Sequence, residues 1–338
     1  MTPAHDVSRI AVLKPCCLGD CVMALPALDA LEAAFPSANI DVFVGQHSQA
    51  AFTFRPSVTI RTIPDRLTAG AALQLSRRLR EGRYDIVVNL DRSRWLRLAT
   101  RSARASRTAS VQVLTPEVRH EAEVYVDAVR ELRVTTPIVV PVIHASETAR
   151  QRATETLANV SNRFVILHPG GASNPGATML DKRWPAVSYS ELAKLLTRQG
   201  LDVLLSGSEA ERELCLSIAR NAGLTDHAVL AGRVTLDELA AILERASLFV
   251  GPDTGVSHIA AATGAPTVAI FGPTNPRRYR PLGPHTRVVA PAESWHVMDR
   301  DLRRATSLEL PSTSAVSVDE VFAASQDVLD ARATKCRR

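Results

Sequence analysis

Residues 9–44 read RIAVLKPCCLGDCVMALPALDALEAAFPSANIDVFV, and their order decides the fold. The apolar, partly β-branched run over 9–14 has the length and content of a buried strand. A loop over 15–20 follows. Residues 21–35 then carry Val22, Leu25, Leu28, Leu31 and Ala34 at helical spacing. Pro36 stops that helix, since a proline ring cannot continue it. Residues 39–44 form the next strand. Strand, helix, strand in this order is a βαβ unit, which demands parallel pairing with a right-handed crossover.

The alternation continues outward. Strands are expected at 59–63, 86–90 and 109–113, and helices at 69–81, 94–101 and 120–132. Residues 135–143 (TTPIVVPVI) hold two prolines and are expected to be extended, so the domain boundary is placed there. A second series has strands at 164–168, 203–206, 228–230, 248–250, 267–271 and 287–289. Its helices fall at 186–199, 209–222, 236–245 and 255–263. A last helix over 318–331 opens with Ser317 and Glu320, the spacing of a capping box. The expected class is α/β: two Rossmann-like, doubly wound parallel-sheet domains, 1–145 and 146–338, facing across a cleft. A return of the last helix to the first domain is left open. No internal sequence repeat links the halves.

The bulk properties fit two soluble cores. The chain has 338 residues, more than one core usually holds. Its 46% hydrophobic and 22% charged residues exclude disorder as the main state. No apolar run of about 18 residues is present, so no membrane-spanning helix is expected. The first ten residues, MTPAHDVSRI, lack the pattern of a secretory signal, and the expected location is the cytoplasm.

The net charge is +5, and 36 of the 40 basic residues are Arg. Arg92, Arg94, Arg97, Arg101, Arg104 and Arg107 cluster with no acid among positions 92–107. Nucleic acid is not the expected partner, because aromatic residues make up only 4% and no stacking platform or zinc-finger spacing occurs. A solvated face and a site for an anionic partner both remain. Cys16, Cys17 and Cys21 have no second Cys/His group to complete a metal site, and five cysteines make no disulfide framework in a chain this long. No metal is expected, and these cysteines read as small core or loop residues.

In doubly wound folds, ligands bind beyond the carboxyl ends of the strands, so the loops there carry the chemistry. The loop over 15–20 has a single glycine, Gly19, and therefore no dinucleotide fingerprint. Asp20 at its end is either an N-cap or a general base. The loop after residue 168 reads HPGGASNPGATMLDKRWP. Gly170 and Gly171 allow close backbone approach, and Lys182 and Arg183 add positive charge, a combination suited to a diphosphate. A surface loop built of turn residues is the plain alternative. Asp253 and Thr254 follow a buried strand, Gly255 opens a helix whose N-terminus can hold anionic oxygens, and His258 falls one turn later.

The stretches LGDCVMALPAL, LHPGG with DKRWP, GSEAERE and GPDTGVSHIAAATGAPTVAIFGPTNP, in that order, resemble glycosyltransferase family 9, the ADP-heptose:lipopolysaccharide heptosyltransferases of the GT-B fold. The resemblance implies a donor held by the C-terminal domain and an acceptor held by the N-terminal one. It implies that Asp20 is the catalytic base and that Lys182 contacts the diphosphate. It further implies that Glu211 meets the ribose and that Asp253, Thr254, Gly255 and His258 line the donor site.

The expected activity is therefore an inverting, metal-independent glycosyl transfer with no cofactor. A nucleotide sugar, ADP-heptose by resemblance, is the donor substrate. The acceptor is an anionic glycolipid of the lipopolysaccharide core met by Arg92, Arg94 and Arg97, with peripheral contact at the inner membrane surface left open. Two other readings stand beside it: the same chemistry on a small natural product such as an aminocyclitol or nucleoside, and a non-catalytic sugar-nucleotide-binding protein.

Overall fold

The computed structural model describes residues 7–112, 118–134, 140–171, 173–174, 177–298 and 310–335. The chain divides into two units, Met1–Pro141 and Val142–Arg338. In the first unit the elements are β1 (Arg9–Leu13), α1 (Leu18–Met23), α2 (Leu25–Ala34), β2 (Asn39–Gly45), β3 (Val58–Ile63), α3 (Ala69–Glu81), β4 (Ile86–Asn89), α4 (Arg94–Ser102), β5 (Arg107–Ser110) and α5 (Glu121–Arg130). The strands form one sheet in the order β3-β2-β1-β4-β5, every pair parallel. Ile10, Ala11, Leu13, Val42, Val44, Val87 and Val88 are buried, as strands covered on both faces require.

Two readings shift in detail. The helix expected over 21–35 begins earlier, at Leu18, and is broken at Ala24 into α1 and α2. Pro26 in the first turn of α2 lacks the N–H that an unbroken helix would need there. The strand expected over 109–113 begins at Arg107 and ends at Ser110, and Val113 lies outside the described residues. So do 135–139 of the extended stretch.

The second unit runs α6 (Glu147–Thr156), β6 (Phe164–Leu167), β7 (Ser173–Asn174), β8 (Ala177–Thr178), α7 (Ala186–Arg198), β9 (Asp202–Leu205), α8 (Arg212–Ala222), α9 (Leu236–Arg245), β10 (Leu248–Pro252), α10 (Gly255–Ala262), β11 (Thr267–Ile270), α11 (Pro276–Tyr279), β12 (Thr286–Val289) and α12 (Val318–Lys335). Its main sheet has the order β12-β11-β10-β6-β9, again all parallel, and β7–β8 is a small antiparallel hairpin. The strand expected at 228–230 is reduced to one parallel bridge, Val229 to Leu205, after a 3-10 turn over Asp226–Ala228. Counting that bridge on the β9 edge gives the order 3-2-1-4-5-6, the Rossmann arrangement.

Helix α6 was not legible as a helix. It buries only the small residues Ala149 and Ala153, so its apolar stripe is faint, although Ser146 caps it by accepting the Ala149 N–H at 3.1 Å. Helix α12 opens with the expected box, Ser317 N–H to Glu320 Oε2 at 2.8 Å and Glu320 N–H to Ser317 Oγ at 3.2 Å. Val321 and Val328 are buried in the second unit's own core with Val268, Ile270 and Leu192. Trp184 is buried in the same core, edge-on to Tyr189 at 5.0 Å, with its indole N–H donated to Val316 O at 2.8 Å. Among the described residues no helix is long and apolar enough to cross a membrane.

Candidate active site

In each unit the sheet reverses its winding at one point, the place where doubly wound folds hold their ligands. In the first unit that point lies between β1 and β4, which pair directly. The loop after β1 brings Asp20, and the loop after β4 brings Asp91.

Asp20 is not the N-cap of α1. Cys17 is, and Asp20 is the third residue of the helix, its Oδ2 3.4 Å from the Cys17 N–H. Its other oxygen, Oδ1, accepts the Tyr125 hydroxyl at 3.1 Å. Lys14, the residue after β1, is buried beneath, with Nζ 3.7 Å from Asp20 Oδ2 and 3.7 Å from Asp91 Oδ2. It donates to Cys16 O and lies 5.6 Å from the centre of the Tyr125 ring. Burial alone would lower the Lys14 pKa, but the carboxylates of Asp20 and Asp91, with Glu121 behind them, hold it above the ordinary lysine value. Neither Lys14, Asp91 nor Tyr125 was picked out from sequence, because β1 reads simply as a buried strand and Tyr125 as one apolar position of α5.

The cysteines differ from expectation. Cys16 and Cys17 are joined by a disulfide across a cis peptide bond. Cys21 is a buried thiol pushed up to about 12, chiefly by burial.

The Arg cluster divides. Arg92 turns inward, pairing with the buried Glu121 at 2.9 Å, so the cluster is not without acids in space. Its guanidinium is engaged by Glu121 while 25% of the side chain stays exposed. Arg94 is exposed, its guanidinium 4.5 Å from the Trp95 ring centre, and Arg97 is half-buried on the same helix.

In the second unit the reversal lies between β6 and β10. The loop after β6 holds Gly170 and Gly171, and the loop after β10 leads through Asp253 and Thr254 into α10. Thr254 is the N-cap of α10 and Gly255 its first residue. A Cβ on Gly170 would run into the Glu211 carboxyl group, and one on Gly171 into Thr254. Gly171 also adopts φ +87°, where a side chain is strained. Both glycines are therefore fixed by how closely Glu211 and Thr254 pack on this loop.

The Gly171 N–H, which the sequence reading aims at a diphosphate, is donated to Glu211 Oε1. Glu211 Oε2 takes the Ser208 N–H at 2.8 Å and the Ser208 hydroxyl at 2.9 Å. Burial would raise the Glu211 pKa, yet the hydrogen bonds from Gly171 and Ser208 bring it below its ordinary value. Arg183 donates from Nε to Gly171 O at 3.0 Å, which ties down the same loop.

Lys182 donates to Asp253 Oδ2 at 2.6 Å, and Thr274, which sequence reading missed, donates its hydroxyl to the same oxygen at 2.7 Å. Against the upward push of burial, Lys182, His258 and Thr274 hold the Asp253 carboxyl below its ordinary range. His258 is buried on α10. His168 is buried too, its Nδ1 3.1 Å from Ser206 Oγ; burial depresses its pKa despite Glu211, favouring the neutral ring. The structure thus brings Gly170, Gly171, Lys182, Glu211, Asp253, Thr254, Gly255 and His258 together at one switch point. No group of three or more His, Cys, Asp or Glu side chains able to hold a metal occurs among the described residues.

Two doubly wound units, each with a charged cluster at its winding reversal, have the architecture of a GT-B glycosyltransferase. The profile of glycosyltransferase family 9 (heptosyltransferase) matches residues 72–307. The chain is 31% identical over 297 residues to lipopolysaccharide heptosyltransferase 1 of Pseudomonas aeruginosa, with 79% of each chain covered. It is 28% identical over 317 residues to lipopolysaccharide heptosyltransferase 2 of Escherichia coli K12, covering 85% of this chain and 89% of that relative. The solved structure of E. coli ADP-heptose lps heptosyltransferase II is similar with a TM-score of 0.74 at 25% identity, over 96% of this chain and 99% of that one. The chain belongs to glycosyltransferase family 9 and is a glycosyltransferase.

Proposed function

We propose that the protein transfers a heptose from ADP-heptose to a hydroxyl of a lipopolysaccharide core acceptor, with inversion at the anomeric carbon. The observation that carries this reading is the Lys182–Asp253–Thr254 cluster at the head of α10, with Glu211 on the adjoining loop. It offers a cation and a helix N-terminus to a diphosphate and a carboxylate to a ribose. The relatives' names supply the sugar and the pathway.

The chemistry divides between the units. Asp20 takes the proton of the acceptor hydroxyl as that oxygen's electron pair forms the bond to the anomeric carbon. The bond from that carbon to the ADP oxygen breaks, and its electron pair leaves on the diphosphate. Lys182 and the N–H groups at the start of α10 stabilise that developing charge, so this chain's own groups do the work a metal ion does elsewhere. A single displacement inverts the centre. Arg94 and Arg97 meet an anionic glycolipid acceptor, and the work is done on the cytoplasmic side with peripheral contact at the membrane surface.

The test is a donor and acceptor screen read by product mass. ADP-heptose with a heptose-deficient core acceptor is expected to give one added heptose and free ADP. Turnover of another nucleotide sugar in preference, or of a small cationic acceptor instead of the glycolipid, overturns the assignment. ADP binding without any turnover points to the non-catalytic reading.

A further inference from the structure

Lys14 is a buried cation at the first unit's switch point, and the reaction as written gives it nothing to do. Its side chain is only 4% exposed, so neither an acceptor nor a diphosphate can reach it. Yet it is wired to the base from below. Its ammonium stands 3.7 Å from Asp20 Oδ2 and equally far from Asp91 Oδ2. It lies over the ring of Tyr125, whose hydroxyl holds the other Asp20 oxygen. The side chain emerges at the end of β1, beside β4 in the sheet, so its place is set by the core rather than by a loop.

We propose that Lys14 is a positioning residue for Asp20, which it orients jointly with Tyr125, and that Asp91 is the counter-carboxylate that fixes the ammonium midway. Charged and titratable groups face it from three directions. Asp20 and Cys21 come from α1, Asp91 from the loop after β4, and Glu121 and Tyr125 from α5; Arg92 neutralises Glu121. Cys21 stays a neutral thiol and donates toward Lys14 O at 3.7 Å. One cation thus serves two carboxylates at equal distance, and Tyr125 supplies the second point that stops Asp20 from rotating. A carboxylate held at both oxygens presents its remaining lone pairs in a fixed direction, which is what proton abstraction needs.

This inference rests on Asp20 being the base, so its test has one arm that needs no turnover. Lys14→Met/Asp91→Asn removes one positive and one negative charge together, which leaves the net charge of the cluster unchanged and favours folding. The expected result is a kcat lower by roughly 10- to 100-fold, the scale on which misplacing a reacting group by an ångström is felt. The ADP affinity and donor KM should be unchanged, because the donor cluster lies in the other unit. Tyr125→Phe keeps the ring and removes only the hydroxyl, and should show the same split with a smaller drop. In parallel, crystal structures of the wild-type protein and the double variant are compared at Asp20. In the double variant the Asp20 carboxylate is expected to leave the Tyr125 hydroxyl or to occupy more than one rotamer, because its second anchor is gone. A folded double variant whose Asp20 keeps its single wild-type orientation overturns the proposal, as does one with wild-type kcat. If the wild-type protein transfers no heptose at all, the proposed function fails on that account, and the crystallographic arm alone decides the role of Lys14.

Discussion

The two switch points use the same pair of residue types with opposite exposure. At the first, the lysine is buried and the carboxylate is reachable: Lys14 is 4% exposed and Asp20 27%. At the second, Lys182 is 12% exposed and Asp253 7%, so the ammonium is the outer partner and the carboxylate the inner one. The contacts differ in the same sense. Lys14 stands off its carboxylates at 3.7 Å and gives its hydrogen bond to a backbone carbonyl, whereas Lys182 bonds Asp253 directly at 2.6 Å. A buried cation can act only through what it touches, while an outer cation can exchange its carboxylate for another anion. The topology places a Lys–Asp pair in each half; burial decides which member of the pair faces the chemistry.

The sharpest way to break this comparison is Asp20→Ala. Loss of the reachable carboxylate should lower turnover by roughly 10²–10⁴-fold, the range for a lost general base, with ADP affinity intact by calorimetry. Turnover near wild type would reduce Asp20 to the helix-capping contact it makes with the Cys17 N–H. Lys182→Ala strikes the outer cation instead. ADP affinity should fall by roughly 10- to 100-fold, the worth of a charge-assisted hydrogen bond of about 1.5–3 kcal/mol. A melting curve must accompany it, because Asp253 is left buried without its main partner. Unchanged ADP affinity in a folded Lys182→Ala protein would remove the diphosphate from this site.

Glu211 tests the same half at lower amplitude. Glu211→Ala removes an acceptor for ribose hydroxyls but also frees the Gly171 N–H, so ADP affinity should fall by only about tenfold or less. Adenine-free inorganic diphosphate should bind as well as before, or better. Weaker diphosphate binding in that variant would mean that Glu211 serves the loop and not the nucleoside.

The carboxylates of the second unit also give stability a pH dependence. Asp253 and Glu211 both have folded pKa values below their ordinary 3.8 and 4.5. A depressed carboxylate contributes stability that is complete above its unfolded value and is lost as pH falls through its folded value. Chemical denaturation should therefore show stability declining below about pH 4.5 and further below 3.8, with a shallower decline in Glu211→Gln. A decline as steep in that variant as in the wild-type protein would place the acid-sensitive groups elsewhere.

What could be read from sequence follows from what each signal depends on. The loops that meet at the second unit's switch point were legible because their residue types are local: the glycines, DKRWP and GPDTGVSH each carry them in a few consecutive positions. The surroundings of Asp20 were not, because Lys14, Asp91 and Tyr125 come from three elements up to 111 positions apart in sequence and meet only once the sheet is ordered. The inward turn of Arg92 depends likewise on Glu121, a residue that reads as the first turn of a helix. Strand and helix order survived almost whole, because period and proline placement set it. Helix α6 was missed since alanines at helical spacing leave almost no apolar signal.

The smallest expected effect concerns the face of α4. Residues 1–145 carry 18 basic and 14 acidic side chains against 22 and 21 in the remainder, so the excess charge lies in the unit assigned to the acceptor. With Arg92 engaged by Glu121, that face narrows to Arg94 and Arg97. Attraction between exposed charges is screened over about 10 Å at 0.1 M salt. The acceptor KM should therefore rise by a few-fold on the order of 0.05 to 0.5 M salt, while the donor KM, set by the partly buried Lys182, changes less. Arg94→Glu with Arg97→Glu should raise the acceptor KM at low salt and flatten its salt dependence, leaving kcat alone. An acceptor KM indifferent to both salt and charge reversal makes α4 a solvated face. The acceptor would then be sought among uncharged or cationic small molecules.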